Sequence, residues 1–399
     1  MSKTFSRRKF FNIVGISTAL LAVRSLTSKI FSKSLSTPPP ENPQQVKSPA
    51  KPSTNIADAL KVPRSTISMP GLFPGKVVNV TNSKSVNGNI PSETEAYKMI
   101  AKAMSELTGE SSLKKAWQMF VKPGEKIGLK VNPVAGRELA TSHAVVKSVV
   151  KQLLSAGIKK EDIVIWDRRG PDLADCGFNN ENYPGIRIAG TEVKDEKGSF
   201  YDGEGKLYGE RNIDKDWYYF ADVEENYDSE TLPYMINTGK YSYYSKIVTK
   251  DVDKIINIPI LKNAGASITN AMKNLAFGAI SNTSRLHASL WHETCAEVCA
   301  FAPIRDKVVL NICDGLRGCF NGGPAANPQF ICNYNLLLVS SDPVALDRIA
   351  YEIIADKRIA EGLQKNKSPQ AYSFLKNASD LNLGVSEIEK ISVRTITMG

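Results

Sequence analysis

Three consecutive stretches decide the fold: Lys126-Ile127-Gly128-Leu129-Lys130-Val131, then Ser142 to Ala156, then Asp162-Ile163-Val164-Ile165-Trp166. The first and third are short, apolar and partly β-branched, as buried strands are. The middle one places Val145, Val146, Val149, Val150, Leu153 and Leu154 on one helical face, and Gly157 closes it. Strand, helix, strand at this spacing is a βαβ unit. It implies parallel pairing and a right-handed crossover.

The same texture extends in both directions. Gly75 to Val80 reads as a strand, and Ser92-Glu93-Thr94-Glu95 is a capping box opening a helix through about Leu107. Further on, Lys254 to Ile258, Lys307 to Cys313, Asn335 to Ser340 and Lys390 to Thr397 read as strands. Helices are expected over Ala266 to Phe277, Ser289 to Phe301 and Pro343 to Ala355. Asp342 is the N-cap of the last, with Pro343 at its first position. The class is therefore α/β, a mostly parallel sheet flanked by helices. Between about 171 and 250 the pattern changes, and ten of the fourteen tyrosines lie between Tyr183 and Tyr244. This segment reads as a Tyr-rich insertion of loops and hairpins, its rings packing rather than binding.

The amino-terminal residues carry a different signal. Ser6-Arg7-Arg8-Lys9-Phe10-Phe11, followed by an uncharged run to Val23, is an export address of the twin-arginine type. It predicts the twin-arginine translocation machinery as a partner and a periplasmic or extracytoplasmic location. Contact with the membrane would then be made only through the signal segment, residues 1–33, if it stays uncleaved. Residues 34–55, with Pro38-Pro39-Pro40, Pro43, Pro49 and Pro52, read as a disordered tether to an α/β domain over 56–399. The formal charge of +10 is not a nucleic-acid signal. Lys3, Arg7, Arg8, Lys9, Arg24, Lys29 and Lys33 leave only +3 for everything after residue 36.

Polar residues gather just past several expected strand ends: Lys130 and Asn132, Asp167, Lys262 and Asn263, Asp314, and Asp342 with Asp347 after it. Ligands of open parallel sheets bind beyond the carboxyl ends of the strands, so a shared polar cleft is expected there.

These residues also carry a resemblance. Lys130-Val131-Asn132, Ala140-Thr141-Ser142, Ile258-Pro259-Ile260-Leu261-Lys262, Ala271-Met272-Lys273-Asn274-Leu275 and Arg285-Leu286-His287 occur in a particular order. Asp314-Gly315, Gly322-Gly323-Pro324 and Ser341-Asp342-Pro343-Val344-Ala345-Leu346-Asp347 follow them. The ordered set resembles the domain-of-unknown-function 362 family over roughly Lys126 to Ile354. The resemblance implies a site, twin-arginine export in many members, and a fused ferredoxin-like module in some. This chain lacks the C-x2-C-x2-C-x3-C run, so no ferredoxin-type iron–sulfur cluster is expected.

The chemistry follows from residue type. Lys130, Lys262 and Lys273 with Asn132, Asn263 and Asn274 suit a small anionic ligand, a carboxylate, a phosphate or an anionic cofactor. Gly322 and Gly323 would let backbone approach it closely. Asp314 is the first choice for a general base or for a hard cation, Asp342 and Asp347 the next. His287 is the candidate proton carrier. On a helix, His292, Cys295 and Cys299 share one face, a soft-metal arrangement. Two functions are open: a metal- or cofactor-dependent enzyme, redox chemistry included, or a non-catalytic ligand-binding or envelope-assembly protein. A thiol- or metal-handling protein is a third.

Overall fold

The computed structural model describes residues 51–399 apart from Ala266, Lys367 and Pro369. The signal segment and nearly all of the tether lie outside the described residues. The principal elements in order are β1 (Lys76–Asn82), α1 (Glu93–Thr108), α2 (Leu113–Gln118), β2 (Ile127–Lys130), α3 (His143–Ser155) and β3 (Ile163–Arg169). Next come β4 (Arg187–Glu192), β5 (Ile213–Phe220), β6 (Tyr241–Ser245), β7 (Lys254–Asn257), β8 (Ile260–Ala264) and β9 (Ser267–Thr269). The chain ends with α4 (Ala271–Ala279), α5 (Ser284–Ser289), α6 (Trp291–Ala300), β10 (Val308–Cys319), β11 (Ile331–Ser340), α7 (Pro343–Ala360), α8 (Ser373–Asp380) and β12 (Ser392–Met398).

One ten-stranded sheet organises the molecule, in the order β12-β1-β11-β10-β7-β2-β3-β4, with β8 paired to β10 and β9 to β8. The run β10-β7-β2-β3-β4 is parallel throughout, as the βαβ reading requires. β11 is antiparallel to both of its neighbours.

The sheet separates two cores. Ile127, Leu129 and Val131 point toward α1 and α3, packed with Ile163, Ile165, Ile256 and Ile258. Val164, Trp166 and Ile255 point the other way, toward α4, α6 and α7. Side chains alternate along a strand, so Lys130 falls on this second face, buried among apolar groups. Ser142 begins α3 by accepting the Val145 amide, and Ser92 begins α1 by accepting that of Glu95.

Several boundaries differ from expectation. The helix expected from Ala266 begins at Ala271; the β-branched residues Ile268 and Thr269 instead turn back on β8, Thr269 opposite Lys262. The helix expected from Ser289 begins at Trp291, because Leu290 leaves helical geometry (φ −137°, ψ 28°) and separates α5 from α6. β10 runs six residues beyond Cys313, so Asp314 lies inside a strand rather than past its end. Within the Tyr-rich segment, β4 belongs to the main sheet, while β5 and β6 form an antiparallel hairpin of their own. The end of the expected tether is docked on that hairpin: the Asp222 amide donates to Ser53 O at 2.9 Å and the Phe220 amide to Asn55 Oδ1 at 2.8 Å. No helix among the described residues is long and apolar enough to cross a membrane.

Candidate functional site

A buried polar network fills the gap between the carboxyl ends of β2, β3 and β7 and the start of α4. Lys130 Nζ donates to Asp167 Oδ2 at 2.6 Å, Asn274 Oδ1 at 2.9 Å and its neighbour's carbonyl, Val131 O, at 2.8 Å. Its ammonium is satisfied three times over, as a buried cation must be. Asp167 is fixed from its other oxygen, which accepts the Arg169 amide at 3.0 Å. Asn274 Oδ1 also receives Asn132 Nδ2 at 3.1 Å, and Asn132 Oδ1 in turn accepts Lys262 Nζ at 3.0 Å. Lys130, Asn132, Asp167, Lys262 and Asn274 are thus gathered as the sequence suggested, all less than 5 % exposed.

The network extends to residues the sequence reading missed. Asn274 Nδ2 donates to Asn257 Oδ1 at 2.8 Å, and Asn257 Nδ2 to Asn311 Oδ1 at 3.0 Å. Both asparagines interrupt otherwise apolar parallel strands, and that interruption was the available signal. Thr141 Oγ1 accepts the Asn132 amide and donates to Ile258 O, each at 2.8 Å, tying the loop before α3 to the strand ends. Gly278 is needed by Lys130: a Cβ there would lie 2.7 Å from Nζ.

Lys273 lies one residue before Asn274, half-buried, with Nζ 5.5 Å from the Phe277 ring centre and 5.4 Å from that of Trp291. Among the described residues, neither Lys273 nor Lys262 has a carboxylate within ion-pair distance; the charged partner in this region, Asp167, is engaged by Lys130. Burial pushes Lys262 down to about 7, helped by repulsion from Lys273, and burial pushes Lys273 down to about 8. His287 is close to the same lysine. Its ring centre is 4.5 Å from that of Phe277 and its Nδ1 is 3.0 Å from Thr283 O. A carbonyl only accepts, so Nδ1 carries the hydrogen and neutral His287 keeps its lone pair on Nε2. Burial, then the Lys273 charge, holds the ring down at about 3, so it is neutral around pH 7.

Other expected residues are placed elsewhere. Asp314 lines a cleft of about 290 Å³ with Arg137, Thr141, Ser142, His143 and Arg317. Its Oδ2 accepts the Ser142 amide at 2.7 Å and its Oδ1 the Leu316 amide at 3.1 Å, while burial raises its pKa. Asp342 is a structural cap: it accepts the amides of Val344, Ala345, Gly75 and Val385. The register runs from Lys130 through Asn257 and Asn311 to Ser340, and Asn311 Nδ2 donates to Ser340 O and Ser341 O, so Asp342 follows β11 three strands across the sheet from Lys130, its carboxylate taken up by those four amides. Asp347 accepts the amides of Ala271 and Met272 at 2.7 and 2.9 Å, holding the start of α4. Asn263 donates to Ser267 O at 2.8 Å, and its Oδ1 is buried with no hydrogen-bond partner among the described residues. Gly323 approaches the Asn263 carbonyl so closely that a Cβ would overlap it, and Gly322 has φ +73°. That loop therefore packs on β8. Cys295 and Cys299 are buried thiols in the α6 core, pushed well above their usual range by desolvation. Among the described residues no three His, Cys, Asp or Glu side chains converge to hold a metal ion, neither His292 with these thiols nor any set around Asp314.

No curated protein matches the chain in sequence. Among solved structures, a crystal structure of a protein from Thermotoga maritima is similar at 11 % identity and a TM-score of 0.37. The match covers 70 % of this chain and 61 % of that one, so the chain spans less than two thirds of that protein. The family model for a domain of unknown function, DUF362, matches residues 127–352, the span that holds every residue of the lysine network. The chain belongs to the DUF362 family.

Proposed function

We propose that this protein is an enzyme that binds a small carboxylate or phosphate at Lys262 and Lys273 and moves protons on it. One observation carries the reading: among the described residues, fully buried Lys262 and half-buried Lys273 have no carboxylate within ion-pair distance, while Asp167 is engaged by Lys130. An unpaired buried charge costs several kcal/mol, and such groups either shed protons or take an anion. Lys130, Asn132 and Asn274 orient the site, and His287 offers a neutral ring nitrogen beside it. An anionic cofactor would be held by the same charges.

The test is thermal stabilisation by oxalate, phosphate and pyruvate. Wild-type protein is expected to gain stability with at least one of them and Lys262→Met to lose most of that gain. No stabilisation by any small anion would overturn the reading. Turnover separates enzyme from binder: His287→Gln is expected to retain affinity and lose rate once a substrate is found. We also propose export by the twin-arginine route, on the strength of Arg7-Arg8 and its flanks. Replacing both arginines by lysine is expected to keep the protein in the cytoplasm. Unchanged export would sink that proposal.

A further inference from the structure

We propose that the cleft beside Asp314 is a second ligand site, one that takes a small hydroxy acid with an apolar body. The carboxylate of that acid sits on Arg137 and Arg317, its hydroxyl donates to Asp314, and its hydrocarbon lies against Ile90, Pro91 and Ile260. None of the three lysines of the buried network lines this cleft, so the inference stands apart from the anion site proposed above.

The position follows from the fold. The cleft is bounded by the loop after β2, the first residues of α3, β10 and a short hairpin that pairs Val86 with Pro91. Open α/β sheets bind ligands in such crevices, beyond the carboxyl ends of parallel strands. A volume of about 290 Å³ is near the lower bound for small-molecule pockets and admits about ten non-hydrogen atoms.

The positive side of the cleft has no carboxylate of its own to satisfy it. Arg137 donates from Nε to Asp175 O at 2.5 Å. Arg317 donates from Nη1 to Glu138 O at 3.4 Å, and its Nε is buried with no hydrogen-bond partner among the described residues. Both guanidinium groups are thus held by backbone carbonyls, and among the described residues neither has a carboxylate within ion-pair distance. The His143 and Ala144 amides have no intrahelical acceptor, and they add the positive end of a 13-residue helix. Planar guanidinium groups at a helix start suit a carboxylate.

Asp314 makes the opposite demand. It is 1 % exposed, and each carboxylate oxygen accepts one backbone amide, which leaves lone pairs for a hydroxyl donor. Burial raises its pKa, which favours a neutral hydroxyl over an ammonium as its partner. The remaining acidic residue of the lining, Glu138, is exposed. His143 has no free nitrogen: Nε2 donates to Cys176 O at 3.0 Å, and Nδ1 accepts the Tyr183 hydroxyl at 2.7 Å. Ile90 is 74 % exposed, apolar surface that the ligand's hydrocarbon would cover.

The experiment is calorimetric titration of mandelate, phenylacetate and phenylglycine into the full chain. Mandelate carries all three features; phenylacetate lacks the hydroxyl, and phenylglycine has an ammonium in its place. Mandelate is expected to bind at least about five-fold more tightly than either. Arg137→Met is expected to weaken mandelate about ten-fold. Arg137 is exposed, so this variant serves even if Arg317→Met fails to fold. No mandelate binding at millimolar concentration, or unchanged affinity in Arg137→Met, overturns the site. Phenylacetate or phenylglycine binding as tightly as mandelate overturns the role given to Asp314. Oxalate binding and its loss in Lys262→Met are read separately, so either site can fail alone.

Discussion

Gly278 and Lys130 are matched across the interface between α4 and the sheet: the glycine hydrogen lies where any Cβ would come within 2.7 Å of the lysine nitrogen. Glycine inside a helix costs up to about 1 kcal/mol relative to alanine, and here the space it leaves lets the ammonium reach Asp167 and Asn274. Gly278→Ala is therefore expected to destabilise the protein by about 1–3 kcal/mol through overpacking, despite its better helix propensity. Urea unfolding measures this. A neutral or stabilising effect would show that Lys130 is not held as described.

The Lys130–Asp167 pair is enclosed on both sides, and Asp167→Asn is expected to cost about 3–5 kcal/mol by leaving an uncompensated charge. Lys130→Met should cost about as much, and the double variant less than the sum. A double-mutant cycle with additive losses would contradict a direct buried pair.

The lowered pKa of Lys262 fixes a pH dependence. Its unfolded value is near 10.5 and its folded value about 7, so between them the unfolded chain binds more protons. Stability from this group is present above about pH 10.5 and is lost as pH falls toward 7. Lys262→Met removes the loss. Its stability relative to wild type is expected to rise as pH falls through that window and then level off, as read by denaturant melts. A flat difference would mean that Lys262 stays protonated throughout.

Asp342 gives a contrasting prediction. Four backbone amides converge on its carboxylate from β1's approach, α7 and the segment before β12. Asp342→Ala should cost at least the about 1 kcal/mol of a lost N-cap, with anion binding unchanged. Lost anion binding in a folded variant would return Asp342 to the site.

The legible parts of this chain were those set by local periodicity. Val145 to Leu154 named α3, Ser92 and Asp342 named their caps, and Lys130 stood out as a cation among strand residues. What was hidden was set by pairing direction and by contacts distant in sequence. Nothing local in Leu336 to Ser340 shows that β11 runs antiparallel to both of its neighbours, or that the Asp342 carboxylate is used up by four backbone amides. Asp314 was read past the end of a strand over Lys307 to Cys313, and Gly315 and Gly318 lie beyond that end. In fact they let β10 continue, with Gly318 close to the Leu261 carbonyl and the Tyr334 ring. Asn257 and Asn311 were overlooked because each lies alone among apolar residues in sequence. Only the sheet sets them beside each other.

The most direct test of the central claim is calorimetric titration of oxalate into the protein near pH 7.5, in two buffers of different ionisation enthalpy. If Lys262 and Lys273 form an anion site with depressed pKa values, binding will draw protons onto them. The observed heat will then differ between buffers by an amount that indicates proton uptake, and Lys262→Met will abolish most of the affinity. Binding with no proton uptake, or with affinity unchanged in Lys262→Met, would contradict the account.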